Sequence, residues 1–240
     1  MKRFIIILGV AVAAITLSAC DRRIAFVSDS MGFYDPAVIE SQLEADGDTV
    51  VRYHTSPGTT AWNNPFLSAE LFASDVDTIV VTFGLNEVRY LRGDWNAQPQ
   101  YTLAQVYSSW STVKQQAAAN GKCLVWVNMQ TAAPLNPGVT GYYIQQLNAW
   151  SAANVRVANW RDPVNNNIWF QGATWVKPED GFHLRAGSWG PAAYGIVTRE
   201  AVQGCYWLSR PLISDVRGRA ICAPIRRWRS SLFTVGRNSR

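Results

Sequence analysis

Short apolar runs alternate along this chain with segments of helical periodicity, and that alternation restricts the fold more than any other feature. Ile24–Ser28 and Thr78–Phe83 (Thr-Ile-Val-Val-Thr-Phe) are apolar on both faces, as strands covered from both sides must be. Thr49–Tyr53, Cys123–Asn128 and Val155–Ala158 add three more predicted strands. Between them, Asp35 and Pro36 can open a helix in which Val38, Ile39 and Leu43 share a face, with Gly47 closing it. Further helices are predicted over Pro65–Ser74, Leu103–Asn120, Thr140–Ala153 and Pro191–Val202. The pattern predicts an α/β fold, a three-layer α/β/α sandwich around a five-stranded parallel sheet. In open sheets of this kind ligands bind beyond the carboxyl ends of the strands.

The two ends of the chain differ in character from the middle. Lys2 and Arg3 precede an apolar stretch, Phe4 to Thr16, too short to span a bilayer comfortably. Leu17-Ser18-Ala19-Cys20 then resembles a bacterial lipobox, in which the cysteine is lipidated and becomes the new N-terminus. An ordinary secretory signal or an uncleaved anchor are the other readings. All three put the folded part outside the cytoplasm, either as a membrane-anchored lipoprotein of the cell envelope or as a secreted protein. Residues 205–240 carry eight arginines against one acid, Asp215, so most of the +5 net charge and the high pI belong to this tail. The rest of the chain is mildly acidic and shows no nucleic-acid-binding face. Three segments follow: a signal peptide over 1–19, a folded α/β domain over 20–204, and a basic, poorly ordered tail over 205–240.

The predicted strands place the chemically interesting residues on one rim. Ser30 follows strand one, His54 to Gly58 follow strand two, and Gly84-Leu85-Asn86-Glu87 follows strand three. Asp180 and His183, in Asp180-Gly181-Phe182-His183, come after strand five. A serine, a histidine and an aspartate are the minimum parts of a nucleophilic acyl-transfer site, whatever their order along the chain.

Four spaced blocks in this order resemble the SGNH, or GDSL, hydrolase family: Ser28-Asp29-Ser30-Met31, Gly58, Gly84-x-Asn86-Glu87 and Asp180-x-x-His183. Ser28 stands where the family usually has glycine, and Glu87 where it commonly has aspartate. The resemblance covers about Ile24 to Cys205 and implies a flavodoxin-like SGNH hydrolase fold. It implies Ser30 as nucleophile, His183 as general base and acid, and Asp180 as the residue that orients the imidazole. The N–H groups of Ser30 and Gly58 and the Asn86 amide would form the oxyanion hole. Such a site needs neither metal nor cofactor. The implied activity is hydrolysis of an acyl ester, with a glycan or small-molecule ester as substrate. A lipase or thioesterase for longer acyl chains, an acyltransferase using the same site, and a non-catalytic binding module are the alternatives.

Other features have plainer readings. His54 reads as a polar turn residue. Trp62, Trp95, Trp169, Trp175 and Trp189 fall near rim segments, where flat faces could stack on sugar rings or simply pack. Cys123 opens strand four and Cys205 closes the last helix, both at the end of the sheet opposite the rim. A bridge between them is feasible, with Cys205–Cys222 as the rival pairing. Cys20 stands four residues before Ile24, so a lipid there would anchor that same end and turn the active mouth away from the membrane. The tail's arginines and Trp228 could touch anionic headgroups.

Overall fold

The computed structural model describes residues 22–93, 101–130, 137–162, 175–177 and 182–205. The signal segment, Cys20, Trp95, Trp169, Asp180, Cys222 and the basic tail lie outside the described residues.

Five strands form one parallel sheet: β1 (Arg23–Ser28), β2 (Thr49–Thr55), β3 (Thr78–Thr82), β4 (Cys123–Val127) and β5 (Arg156–Ala158). Their order is β2-β1-β3-β4-β5, the flavodoxin-like arrangement. Among the described residues the α-helices are α1 (Pro36–Glu44), α2 (Ala69–Ala73), α3 (Leu85–Arg92), α4 (Leu103–Ala119), α5 (Pro137–Asn154) and, after the last strand, α6 (Gly190–Gln203).

The period of two along a strand sends neighbouring side chains to opposite faces. Ala25, Val27, Ile79, Val81 and Trp126 face one layer, packed with residues of α3, α4 and α5. Ile24, Phe26, Val80, Val125 and Val127 face the other, packed with residues of α1 and α6. Both faces are therefore covered, which is why β3 is buried throughout.

Three differences from the sequence reading have physical causes. Leu85–Arg92 is helical, whereas the sequence reads there only as the loop after strand three. Its glutamate and two arginines dilute the apolar stripe that signals a helix. The short helix before β3 is only Ala69–Ala73, capped by Ser68, whose hydroxyl accepts the Leu71 N–H. Asp35 precedes α1 but does not cap it through its side chain; it sits in the left-handed region at φ 52°. Its carboxylate accepts the Gly187 N–H at 2.6 Å instead, joining two segments 152 residues apart in sequence.

Cys123 and Cys205 form a disulfide, with Cα atoms 5.9 Å apart. This resolves the pairing left open by the sequence. It ties the start of β4 to the residues after α6, at the end of the sheet opposite Ser30. At the same end, Arg22 pairs with Asp48 at 2.5 Å and donates to the Val202 carbonyl at 2.7 Å.

Candidate active site

β1 ends in a tight turn fastened by its own side chains. The Ser28 hydroxyl lies 2.5 Å from Thr82 Oγ1 on the neighbouring strand. It also accepts the Gly32 N–H at 2.7 Å. A glycine at 28 could offer neither contact, so the departure from the family pattern has a structural use here. Asp29 then caps a single 3-10 turn over Ser30–Phe33 by accepting the Met31 N–H at 2.9 Å. Ser30 is the first residue of that turn, half-buried, with its side chain free to leave the sheet.

The Ser30 Oγ lies 2.7 Å from His183 Nε2. The histidine is held by the backbone around it. Val176 and Leu184 form an antiparallel bridge, and the His183 carbonyl accepts the Lys177 N–H at 2.8 Å. The Phe182 carbonyl accepts Gln130 Nε2 at 2.8 Å, and Gln130 Oε1 accepts Trp160 Nε1 at 3.1 Å. Tyr34 sets its ring edge-on to His183 with centroids 5.4 Å apart. Gln130 is buried beyond β4, and nothing in its sequence neighbourhood signals this role. Asp180 lies outside the described residues.

The other two predicted site residues come from adjacent rim segments. Gly58 has φ 80°, a conformation that favours glycine. Its loop is pinned to β1, because the Ser56 N–H donates to the Ser28 carbonyl at 2.9 Å. Asn86 is buried in the first turn of α3. Its Nδ2 donates to the Thr59 carbonyl at 2.8 Å and lies 3.4 Å from Asp29 Oδ2. Asn86 thus touches the residue after Gly58 and the residue before Ser30. The turn into α3 depends on Gly84, at φ 142°, where a Cβ would collide with the Met129 side chain.

Two carboxyl groups lie beneath these donors, both fully buried. Burial holds Asp29 well above the usual carboxylate range; the Met31 N–H opposes the shift and nearby Glu87 adds to it. Burial likewise pushes Glu87 up to about 7, against the Ala61 N–H and the Trp110 indole. Asp29, directly before the serine, thus resists carrying a negative charge. It also borders a cavity of about 20 Å³ lined by Thr82, Met129, Gln130, Phe182 and Tyr194, room for roughly one water.

The remaining rim residues sort differently from their sequence reading. His54 is in β2 and not in a turn; it stacks on Phe66 with centroids 4.3 Å apart. Burial and the charge of Arg52 lower its pKa. Trp175 is buried and stacks on Trp160, so it is not a platform for sugar. Trp62 packs against Tyr90 and Tyr101. Trp189 is 60% exposed and Phe33 is 57% exposed.

No protein-family profile and no curated protein matches the sequence. Solved structures do match. A GDSL-like lipase of Parabacteroides merdae superposes with a TM-score of 0.58 at 12% identity, over 76% of this chain and 96% of that one. An acetyl-xylooligosaccharide esterase of Geobacillus stearothermophilus gives 0.56 at 13% identity, over 77% and 93%. A GDSL-like lipase of Bacteroides thetaiotaomicron gives 0.52 at 16% identity, over 80% and 96%. The molecule is therefore an α/β protein of the flavodoxin-like type. More narrowly, it has the fold of GDSL-like lipases and acetylxylan esterases, the SGNH hydrolase fold.

Proposed function

We propose that this protein is a serine ester hydrolase that removes short acyl groups from carbohydrate. The observation that carries the proposal is the 2.7 Å contact between Ser30 Oγ and His183 Nε2 at the carboxyl ends of the strands. A serine hydroxyl is a weak nucleophile until a base takes its proton. In the proposed reaction His183 Nε2 takes that proton as Ser30 Oγ adds to the ester carbonyl carbon. The imidazolium then returns it to the leaving sugar oxygen, and an acyl-serine remains. Water, deprotonated by the same nitrogen, adds to the acyl-serine and releases the acid. Asp180 is assigned to orient the imidazole and stabilise its cation.

The tetrahedral oxyanion would be met by the N–H groups of Ser30 and Gly58 and by Asn86 Nδ2. The Asn86 amide carries two hydrogens, and the bond to the Thr59 carbonyl uses one. The contact to Asp29 Oδ2 is long, at 3.4 Å, so the second hydrogen can turn to the substrate. The preference for acyl groups on sugar draws on the acetylxylan-type esterases that share the fold. Lipidation of Cys20 would hold the domain to a membrane of the cell envelope with the mouth turned away; fatty-acid labelling of wild type against Cys20→Ser tests that anchor.

The deciding experiment compares wild type with Ser30→Ala on p-nitrophenyl acetate, acetylated xylo-oligosaccharides and p-nitrophenyl esters of increasing chain length. Turnover that disappears in Ser30→Ala and falls as the acyl chain lengthens supports the reading. Turnover that survives Ser30→Ala sinks it, and preference for long chains replaces the glycan esterase with a lipase or thioesterase.

A further inference from the structure

Glu87 takes no part in the proton transfers above, yet it is fully buried in the element that carries Asn86. Its Oε1 accepts the Ala61 N–H at 2.8 Å, three residues beyond Gly58. The same oxygen accepts Trp110 Nε1 at 3.3 Å, from the middle of α4. Its Oε2 is buried with no hydrogen-bond partner among the described residues. One carboxyl group thus spans three elements that share no sequence: α3, the 56–61 loop and α4.

Trp110 is itself held in place. Its ring lies 4.3 Å from that of Trp126 on β4. Trp126 Nε1 donates to the Phe83 carbonyl at 3.1 Å, one residue before Gly84. Two packed indoles therefore grip both ends of the segment 83–87: one holds Phe83 at the end of β3, the other holds Glu87 in α3. Asn86 lies between those grips. An aspartate at 87, the commoner residue in the resembled family, is shorter by one methylene and would have to give up one of the two contacts.

We propose that Glu87, backed by the Trp110–Trp126 pair, is a positioning residue that fixes the distance between the Gly58 N–H and the Asn86 amide. This rests on the reading of those two groups as oxyanion donors. Without the carboxyl oxygen, the loop loses its Ala61 hydrogen bond to α3, and more of the task of holding the two donors in register falls to the Asn86–Thr59 bond. The donors are then present but misplaced, which weakens the transition state more than the ground state.

The test measures kcat and KM per titrated active site, and the rate of Ser30 modification by a fluorophosphonate, in Glu87→Leu, Glu87→Gln, Trp110→Phe and wild type. Glu87→Leu is expected to lower kcat and the probe rate roughly 100-fold with KM changed less than about threefold. Glu87→Gln, which keeps an acceptor oxygen, is expected to recover most of that loss. Trp110→Phe keeps the ring packing but removes the N–H donor, and is expected to lower kcat about threefold to tenfold. In an Asn86→Ala background Glu87→Leu should add less than about threefold, since the donor it positions is gone. A purely structural glutamate would change the folded fraction and leave kcat per active site intact; that result, or full additivity with Asn86→Ala, overturns the proposal. If Glu87→Leu does not fold, Trp110→Phe and Glu87→Gln decide: unchanged kcat in Trp110→Phe, or a roughly 100-fold loss of kcat in Glu87→Gln, overturns it. Absence of wild-type ester turnover with a normal probe rate would count against the proposed function and not against the positioning role, which the probe still reads.

Discussion

Replacing Glu87 with glutamine should alter how stability depends on pH. The carboxyl is buried and held near 7, against an ordinary value of 4.5. The folded protein therefore holds this proton more tightly than the unfolded chain does. The stability it contributes is complete below pH 4.5 and is lost as the pH rises through about 7. A displacement of that size corresponds to about 3 kcal/mol between the two ends of the window. Glutamine cannot titrate, but it keeps an oxygen for Ala61 and Trp110. Urea unfolding of wild type and Glu87→Gln at intervals from pH 4 to pH 8 gives the difference directly. The variant is expected to gain on wild type by about 3 kcal/mol across the range, with most of the change between pH 5 and pH 7. Asp29 is also raised by burial and remains in both proteins, so both curves fall with pH and wild type falls more steeply. Parallel curves would show that Glu87 titrates alike in the folded and unfolded chains, and would refute the argument.

Asn86→Ala is expected to lower kcat by roughly 100-fold to 1,000-fold with a smaller change in KM, as for loss of one oxyanion donor; steady-state kinetics on p-nitrophenyl acetate checks it. Gly84→Ala places a Cβ at φ 142° and against Met129, and should destabilise the fold by about 2–4 kcal/mol in urea unfolding. The Cys123–Cys205 bridge closes a separation of 82 residues, so the double serine variant should lose about 4 kcal/mol of unfolding free energy. An unchanged midpoint in reducing and non-reducing buffer would show that the bridge is energetically idle.

The strands were legible because apolar residues run unbroken from Ile24 to Val27 in β1 and β-branched residues fill β3, as a sheet covered on both faces requires. Ser30 was legible at the end of strand one and His183 in the segment after strand five, and the fold brings them to 2.7 Å. The helix α3 was not, because its anchoring comes from Gly84 and from buried partners in distant elements. Glu87 illustrates the limit. Its two donors lie 26 residues before it and 23 after it, so no local pattern could assign them. Asp35 was misread for the opposite reason: the local signature of a helix cap was present, but Gly187, far along the chain, offered its carboxylate another partner. The rim tryptophans showed that position along a strand does not reveal exposure, since Trp175 is buried and Trp189 is open.

The sheet also divides the machinery. Ala61, Phe83, Leu85, Val88, Trp110 and Trp126 lie on one side, with the segments that carry Gly58 and Asn86. Met31, Trp175, Val176, Leu184 and Tyr194 lie on the other, beside Ser30 and His183. Adjacent residues of one strand therefore support different parts of the rim: Val81 packs in the layer of Ala61 and Leu85, and Val80 in the layer of Met31 and Leu184. His183 stands where the two layers meet, since Phe182 before it packs in the first and Leu184 after it in the second.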